Sequence, residues 1–234
     1  MLRRAILDTT TTPDGQTLEL AIEAGHYVIR IGGIPLMSSA TYGSEQAMAH
    51  VAAEVLGAHP RPRVLIGGLG MGFTLRAALD VFGPGARITV AELLPCIVRY
   101  SREVLGHLAQ HPLRDRRVRL YEGDVRAQWT EGSWDVILMD VDNGPDAFTT
   151  ASNSSLYSAE SVDRFRRALL PNGVLVAWSA YPSPRFEARL RGTGMRCETR
   201  RVKARGEIRK GSTHTLYVAQ APGRPKEQRK ARSK

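Results

Sequence analysis

The pattern of hydrophobic and polar positions changes character along the chain. Near the N-terminus, two strand-like runs at 17–22 and 27–31 flank the sequence Glu-Ala-Gly-His, which is typical of a β-hairpin with a four-residue turn. From residue 64 onward, short and nearly continuous apolar runs alternate with segments of helical spacing. Apolar runs of this kind are typical of strands covered on both faces, so the pattern predicts a parallel sheet between two layers of helices.

The alternation predicts seven strands for this sheet. They cover 64–68, 87–92, 118–124, 134–140, 174–179, 195–203 and 213–220. The helices predicted around them, the first with Ser44 as a candidate N-cap, cover 47–56, 73–82, 95–108, 158–170 and about 184–191. The expected fold class is therefore α/β, with a Rossmann-like, doubly wound seven-stranded sheet and a small N-terminal β-hairpin.

Charge separates the C-terminal end from the rest of the chain. Residues 221–234 hold six Lys/Arg and one Glu, half of the net charge of +10, and they lack apolar periodicity. This composition predicts a disordered basic tail, after a hairpin and linker over 1–45 and a Rossmann-like catalytic domain over 46–220. One interpretation of such a tail is that its charges keep the protein in solution. An anionic partner such as RNA is the alternative, without a helix-turn-helix or RNP-like aromatic pattern to favour it.

Composition excludes several classes of protein. Hydrophobic residues make up 42% and charged residues 24%, as in ordinary globular proteins. Neither a membrane-length apolar run nor an apolar signal-peptide core is present, so we expect no membrane span and a cytoplasmic location. The two cysteines, Cys96 and Cys197, are far apart and lack metal-ligand spacing, so we expect neither a metal site nor a disulfide framework.

A glycine-rich turn follows the first strand of the predicted sheet. Gly68, Gly70 and Gly72 form a GxGxG pattern directly before a predicted helix. Glycines let the backbone pass close to a ligand, and the helix N-terminus offers free N–H groups. A tight strand-to-helix turn without a ligand is the alternative. The dinucleotide pattern GxGxxG is not met, because residue 73 is Phe.

Acidic residues stand at the carboxyl ends of the next two strands. Glu92, with Leu93 beside it, ends the second strand and can accept both ribose hydroxyls of a nucleoside. Asp124 follows the third strand, where it can accept from an adenine amino group while Val125 supplies a backbone contact. Each acid alone could instead be a cap or a solvated loop residue. Because parallel strands end at one edge, the acids together predict an adenosyl-binding site.

The fourth strand ends in two carboxylates. In WDVILMDVDNGP, Asp140 and Asp142 follow the apolar run and stand directly before the turn residues Asn143-Gly144-Pro145. Ligands of doubly wound sheets bind beyond the carboxyl ends of the strands. Both aspartates are therefore candidate catalytic residues on the ligand side.

The order of these motifs resembles a known family. The segments VLIGGLGMGFTLRAAL, VAELLPCIVRYSREVL, RVRLYEGDVRAQW, WDVILMDVDNGP and LYSAESVDRFRRALLPNGVLV are similar to the spermidine synthase, or polyamine aminopropyltransferase, family. That family lies within the class I S-adenosylmethionine-dependent methyltransferase superfamily, and the likeness covers roughly residues 17–180. The resemblance implies a class I methyltransferase fold with a shortened N-terminal β-domain. It also implies dimers or larger assemblies, so a homodimer is a candidate state.

Several positions depart from the family's pattern. Met71 stands where the family carries the Asp that holds the amine of decarboxylated S-adenosylmethionine. Asp140 matches the Asp that helps deprotonate the attacking amine, but Asn143 replaces a second Asp that grips the polyamine. The family's Tyr-His-Glu element has no clear counterpart, since TYGSEQ occupies that region. Tyr157 lies in a region that borders the acceptor pocket in the family, which implies either a substrate contact or packing.

These departures favour methyl transfer. Polyamines carry several charges and need several carboxylates, and Met71 removes a charge that would repel the carboxylate of ordinary S-adenosylmethionine. The leading hypothesis is a methyltransferase for a small amine or hydroxyl acceptor. In it, Asp140 holds the amino group of the cofactor or the nucleophile, and Asp142, aided by Asn143, orients or deprotonates the acceptor. The alternatives are a divergent aminopropyltransferase, with Asp140 as base and Asp142 replacing the lost Asp, and a non-catalytic or RNA-associated adenosyl-binding module.

Three aromatic residues are interpreted as structural. Trp134 and Trp178 flank predicted core strands, and His214 lies in a predicted terminal strand. A pocket-facing His214 is the alternative. The sequence contains no cluster of His, Cys, Asp and Glu with the spacing of a metal site, so we expect no metal cofactor.

Overall fold

The computed structural model describes residues 4–141, 155–205 and 211–224. Its N-terminal part is an antiparallel sheet of four strands in sequence order. These strands are β1 Arg4–Thr11, β2 Thr17–Glu23, β3 His26–Ile31 and β4 Ile34–Ser38. The predicted hairpin is present as β2 and β3. The two outer strands were missed because β1 is largely exposed and β4 is short, so neither has a clear apolar alternation.

The turn between β2 and β3 is tighter than the sequence pattern indicated. Glu23 pairs with His26, which leaves only Ala24 and Gly25 as turn residues. Both have positive φ angles, 51° and 83°. Two such residues are typical of a type I′ turn, whose twist matches that of the strands it joins.

The larger sheet has seven strands in the order β10-β11-β9-β8-β5-β6-β7, which confirms the predicted fold class. Its strands are β5 Arg63–Gly67, β6 Arg87–Glu92, β7 Val118–Glu122, β8 Trp134–Met139, β9 Leu169–Ser179, β10 Arg196–Lys203 and β11 Thr213–Gln220. Strands β5 to β9 run parallel, whereas β11 is antiparallel to both β9 and β10. Strand order reverses beside β5, so the carboxyl ends of β5, β6 and β8 form the ligand edge expected of such sheets.

Five α-helices are described in the structure. They are α1 Gly43–Leu56, α2 Phe73–Val81, α3 Pro95–Glu103, α4 Ala159–Ala168 and α5 Pro184–Arg191. The predicted helix over 95–108 is interrupted, and a short 3₁₀ helix at Gly106–Ala109 follows α3. A Cβ at Gly106 would lie 2.5 Å from the carbonyl oxygen of Ser101, so the chain turns there where only glycine fits.

Side chains alternate between two apolar layers on the faces of the large sheet. Val64, Ile66 and Leu138 pack against α1, α2 and α3, whereas Leu65 and Ile137 face the side covered by α4 and α5. The first layer also contains Leu18, Leu20 and Ile29 of the N-terminal sheet, so both sheets share one hydrophobic cluster. Each fully buried side chain of this kind stabilises the fold by about 1.5–3 kcal/mol.

The domain boundaries expected from the sequence, after residues 45 and 220, remain predictions. The Ala221 N–H donates to the Gly173 carbonyl, and the Asn172 N–H donates to the Pro222 carbonyl. The first residues of the predicted tail are therefore hydrogen-bonded to the start of β9. Residues 225–234 lie outside the described residues. Among the helices described, none is long and apolar enough to cross a membrane.

Candidate active site

The glycine-rich loop between β5 and α2 is shaped by close contacts within the protein. Gly68 has a φ of +91°, and a Cβ there would lie 2.2 Å from the backbone oxygen of Asp140. Gly70 and Gly72 also have positive φ angles, and Gly72 caps α2 while packing on Pro112. The turn therefore requires glycine for its own geometry. Contact of these glycines with a ligand remains a prediction.

Glu92 is held at the end of β6 by backbone amides. One carboxylate oxygen accepts from the Leu69 N–H and the other from the Leu94 N–H, each at 2.8 Å. The side chain is buried, with 8% of its surface exposed. These two hydrogen bonds fix the orientation of the carboxylate, and its contact with ribose hydroxyls remains a prediction. Leu93 beside it is exposed.

Asp124 is engaged by its neighbour Arg126. One carboxylate oxygen accepts from the Arg126 backbone N–H and caps a short 3₁₀ helix, and the other accepts from the guanidinium. These hydrogen bonds from Arg126 lower the pKa of Asp124 below its usual range. Asp124 is therefore a helix cap, which was one of the alternatives considered for it from the sequence. The predicted adenine contact would have to use the remaining lone pairs.

These residues meet in one groove of about 390 Å³. It lies between the carboxyl ends of β5, β6 and β8 and the N-terminal sheet. The predicted cofactor-binding residues that line it are Gly68, Gly70, Glu92, Leu93, Asp124, Val125 and Asp140, whereas Gly72 does not. Leu94 and Ile97 add apolar walls. A purine nucleoside suits such a groove, because its ring is largely apolar and its ribose hydroxyls can donate to a buried carboxylate.

Asp140 stands where this groove meets a second, smaller cavity. It lines the groove and also a cavity of about 60 Å³. The Thr74 hydroxyl donates to one carboxylate oxygen of Asp140 at 2.5 Å. Burial nevertheless raises the pKa of Asp140 to about 6. This carboxyl group can therefore both accept and release a proton near neutral pH.

Glu45 also lines the small cavity, and the sequence analysis did not identify it as a candidate site residue. It lies in the first turn of α1 and lines the cavity with Asp140. Burial, and then the negative charge of Asp140, raise the pKa of Glu45 to about 7. An acid at the start of a helix usually serves the helix dipole, so the sequence carried no signal that it would face a second acid.

Ser44 does not cap α1, contrary to the sequence-based prediction. Tyr42 holds the N-cap position, and Ser44 lies inside the first turn with its side chain fully buried. Its hydroxyl oxygen lies 2.7 Å from Glu45 Oε2 and 2.8 Å from His214 Nδ1. Burial lowers the pKa of His214, which favours the neutral form of the ring. The His214 ring also packs edge-on against Trp178, with centroids 4.7 Å apart.

The remaining candidates have different surroundings. Met71 is buried and forms part of the cavity wall. Tyr157 is also buried, and its hydroxyl donates to the Val141 carbonyl, which favours a structural role. Asp142 and Asn143 lie outside the described residues. Within the described ranges, no group of three or more His, Cys, Asp or Glu could hold a metal ion.

One curated relative resembles this chain in sequence. It is polyamine aminopropyltransferase 1 of Streptomyces coelicolor, which is 32% identical over 155 residues. The match covers 64% of this chain and 28% of that protein, so the chain spans little more than a quarter of the relative's length. No protein-family model matches the chain.

Solved structures share the fold. A spermidine synthase in complex with the transition-state analogue AdoDATO has a TM-score of 0.75 and 18% identity, covering 98% of this chain and 80% of its own. Spermidine synthase from Thermotoga maritima has a TM-score of 0.73 and 18% identity, with 98% and 79% covered. A probable spermidine synthase from Corynebacterium glutamicum has a TM-score of 0.64 and 21% identity, with 93% and 79% covered.

These comparisons contradict the sequence-based preference for a methyltransferase. The curated relative is an aminopropyltransferase, two of the structures are spermidine synthases and the third is a probable spermidine synthase. The preference rested on a count of lost carboxylates at positions 71 and 143. That count omitted Glu45, a carboxylate that α1 brings to Asp140 from a distant part of the chain.

Proposed function

We propose that this chain is a spermidine synthase-like protein that transfers an aminopropyl group. Its similarity to a curated aminopropyltransferase and its class I methyltransferase-like fold support the proposal. The donor would be decarboxylated S-adenosylmethionine, and the acceptor a small amine. The observation that carries this proposal is the place of Asp140, which lines both the nucleoside-sized groove and the small cavity beside it. A group there can act on an acceptor while the donor occupies the groove.

Asp140 would act as the general base. An aliphatic amine enters as an ammonium ion, and its nitrogen has no free lone pair until one proton is removed. A carboxylate whose pKa is raised by burial is a better base than an ordinary one. The Thr74 hydroxyl donates to Asp140 and fixes the orientation of the Asp140 carboxylate.

The donor supplies a sulfonium carbon that an amine can attack. The amine nitrogen forms a bond to the propyl carbon, the carbon–sulfur bond breaks, and its electron pair stays on sulfur in the leaving 5′-methylthioadenosine. The proton taken by Asp140 is released to solvent, so one proton is produced in each turnover. The residues of the chain contribute by placing nitrogen, carbon and sulfur in line.

The other site residues keep their proposed roles. Glu92 would accept the ribose hydroxyls, with Leu93 beside the sugar. Asp124 and Val125 would contact the adenine. Asp142 and Asn143 stand two and three residues after Asp140 in the sequence and would contact the acceptor. Homodimer formation and binding of nucleic acid stay separate predictions.

Donor discrimination tests the proposal. The full chain is incubated with decarboxylated S-adenosylmethionine or with S-adenosylmethionine, each with 1,3-diaminopropane, 1,4-diaminobutane or 1,5-diaminopentane. We expect 5′-methylthioadenosine only with the decarboxylated donor, measured by chromatography. Calorimetry should also give tighter binding of the decarboxylated donor. Formation of S-adenosylhomocysteine instead, or tighter binding of S-adenosylmethionine, would contradict aminopropyl transfer.

A further inference from the structure

The edge of the large sheet opposite the groove carries a row of arginines. Strand β5 begins at Arg63 and β6 at Arg87, and these two residues pair directly in the sheet register. The carbonyl of Arg117, just before β7, accepts from the Ile88 N–H, so Arg117 lies beside Arg87. Because neighbouring strands are about 4.8 Å apart, the arginines form a row across the amino ends of three strands.

An open cleft of about 550 Å³ lies along this edge. The residues that line it include five arginines and, among those that the structure describes, neither Asp nor Glu. The arginines of this arginine cleft are Arg63, Arg87, Arg116, Arg117 and Arg119. A cleft lined by charges of one sign concentrates its potential, so this one attracts anions.

Two of these arginines are balanced within the protein. The Arg117 guanidinium donates to Asp115 and to backbone carbonyls at the end of α2. The Nε atom of Arg63 lies 3.8 Å from a carboxylate oxygen of the buried Asp135, which does not line the cleft. Arg117 and Arg63 therefore fix the ends of the row to the fold.

The other three arginines are free to bind a ligand. Across 4–141, 155–205 and 211–224, no Asp or Glu is within ion-pair distance of the exposed side chains of Arg87, Arg116 and Arg119. Like charges directly opposite each other on neighbouring strands are unfavourable, and Arg63 and Arg87 form such a pair. An anion in the cleft would remove this repulsion.

The sheet register places Arg87 and Arg119 on one face. Arg87 and Thr89 are two positions apart on β6, and Thr89 pairs directly with Arg119 of β7. Ile88, between them, points to the opposite face and packs in the layer formed with α2 and α3. Helices α4 and α5 contact β9 and β10, which lie on the other side of β8. Both arginines are therefore accessible to a large ligand.

We propose that the arginine cleft binds the phosphodiester backbone of a single-stranded nucleic acid. The planar guanidinium of arginine matches a phosphate with two parallel hydrogen bonds, and a row of arginines matches a chain of repeated phosphates. The half-buried Trp134 also lines the cleft, and its Nε1 already donates to the Gln128 carbonyl. The ring surface is what remains for a ligand, and an unstacked base can pack on it.

The cleft and the groove lie at opposite edges of the sheet. Strands β5, β6 and β7 have five or six residues. A strand rises by about 3.3 Å per residue, so the two edges are roughly 16–20 Å apart. A nucleic acid in the cleft therefore leaves the groove open, and the inference does not depend on aminopropyl transfer. It also differs from the sequence-based alternative, in which residues 221–234 bind RNA.

A pair of substitutions in the cleft tests the proposal in the full chain. The Arg87→Ala/Arg119→Ala protein is compared with Arg185→Ala/Arg196→Ala, which removes two exposed arginines of α5 and β10 that do not line the cleft. Both proteins have the same net charge and keep residues 221–234. The probe is a fluorescent oligouridylate of about 12 nucleotides, and binding is followed by anisotropy at about 50 mM salt.

The cleft variant should bind the oligouridylate at least tenfold more weakly than the unchanged protein, and the control variant within about twofold of it. Each lost phosphate contact lowers the slope of log K against log salt concentration by about 0.7, so two lost contacts should lower it by about 1.4. Arg87→Lys/Arg119→Lys keeps both charges and should recover most of the affinity. Equal losses in the cleft and control variants, or no binding by the unchanged protein, overturn the proposal.

Two further probes identify the partner. Oligothymidylate of the same length separates RNA from DNA: equal binding supports recognition of phosphates alone, and tighter binding of the oligouridylate supports a contact with the 2′-hydroxyl groups. Polyglutamate of similar length and charge should bind at least tenfold more weakly than either strand. Polyglutamate binding as tight as that of the oligouridylate would show a general anion surface and would exclude the nucleic-acid assignment. Thermal unfolding should be the same for all variants, because the substituted side chains are exposed.

Discussion

The groove and the small cavity use acidic residues in opposite ways. In the groove, Glu92 is held by two backbone amides and Asp124 by Arg126. In the cavity, Asp140 and Glu45 receive hydrogen bonds from hydroxyl groups, and their pKa values are raised. The protein has therefore satisfied the acids that would orient a donor. Among the described residues, the two cavity acids have hydroxyl donors and no ion-pair partner.

The largest effect is expected when the base of the cavity is removed. Asp140→Asn should lower kcat about 10²- to 10⁴-fold, because the amide cannot take the ammonium proton. Release of 5′-methylthioadenosine is the measurement. Asp80→Asn on the exposed face of α2 is the matched control and should leave the rate unchanged. An Asp140→Asn protein with near-normal kcat would show that the cavity acid is not the base.

The next effect tests the groove. Glu92→Ala should weaken binding of the decarboxylated donor at least tenfold and destabilise the fold by about 1–3 kcal/mol, because two backbone N–H groups lose their acceptor. Calorimetry and chemical denaturation measure the two effects. Glu122→Ala is the control, since Glu122 pairs with Glu92 across the sheet but is exposed. Intact donor binding in Glu92→Ala would exclude the ribose contact.

A smaller effect concerns stability and pH. Folding raises the pKa of Glu45 from 4.5 to about 7 and that of Asp140 from 3.8 to about 6, so the unfolded chain releases these protons at lower pH. Ionisation of this pair should therefore lower the free energy of unfolding of the ligand-free protein as the pH rises from about 4 to about 7. Glu45→Gln should be more stable than the unchanged protein by about 1–2 kcal/mol at pH 8, and nearly equal at pH 4.

Denaturation at several pH values checks this difference. Saturating 1,4-diaminobutane should reduce the difference at pH 8, because the bound ammonium stabilises the ionised carboxylates. Glu54→Gln should show no comparable gain at high pH. A stability difference between Glu45→Gln and the unchanged protein that does not vary with pH would mean that the cavity acids titrate as ordinary surface groups.

The smallest effect is expected at Asp124. Asp124→Asn keeps an oxygen that can cap the 3₁₀ helix but removes the charge opposite Arg126. Stability should change by no more than about 1 kcal/mol, and donor binding by less than about threefold, because the carboxylate is already occupied. A tenfold loss of donor binding would show that Asp124 contacts the adenine more directly than its hydrogen bonds suggest.

Much of the fold and part of the site followed from local patterns. Apolar runs alternating with helical segments predicted the seven-stranded sheet, since strands covered on both faces need continuous apolar residues. Glu92, Asp124 and Asp140 were predicted to meet because parallel strands end at the same edge. Outer strands β1 and β4 were not predicted, since neither has a clear apolar alternation.

The sequence by itself determined the α/β architecture, the glycine-rich turn and the row of acids at the strand ends, because each depends on residues that are neighbours in the chain or at equivalent strand positions. Only the tertiary structure decided what surrounds each acid. Ser44 and His214 are 170 positions apart, and Glu45 meets Asp140 only after α1 packs beside β8 and α2. The pKa of an acid depends on burial and neighbouring charges, which no local pattern carries.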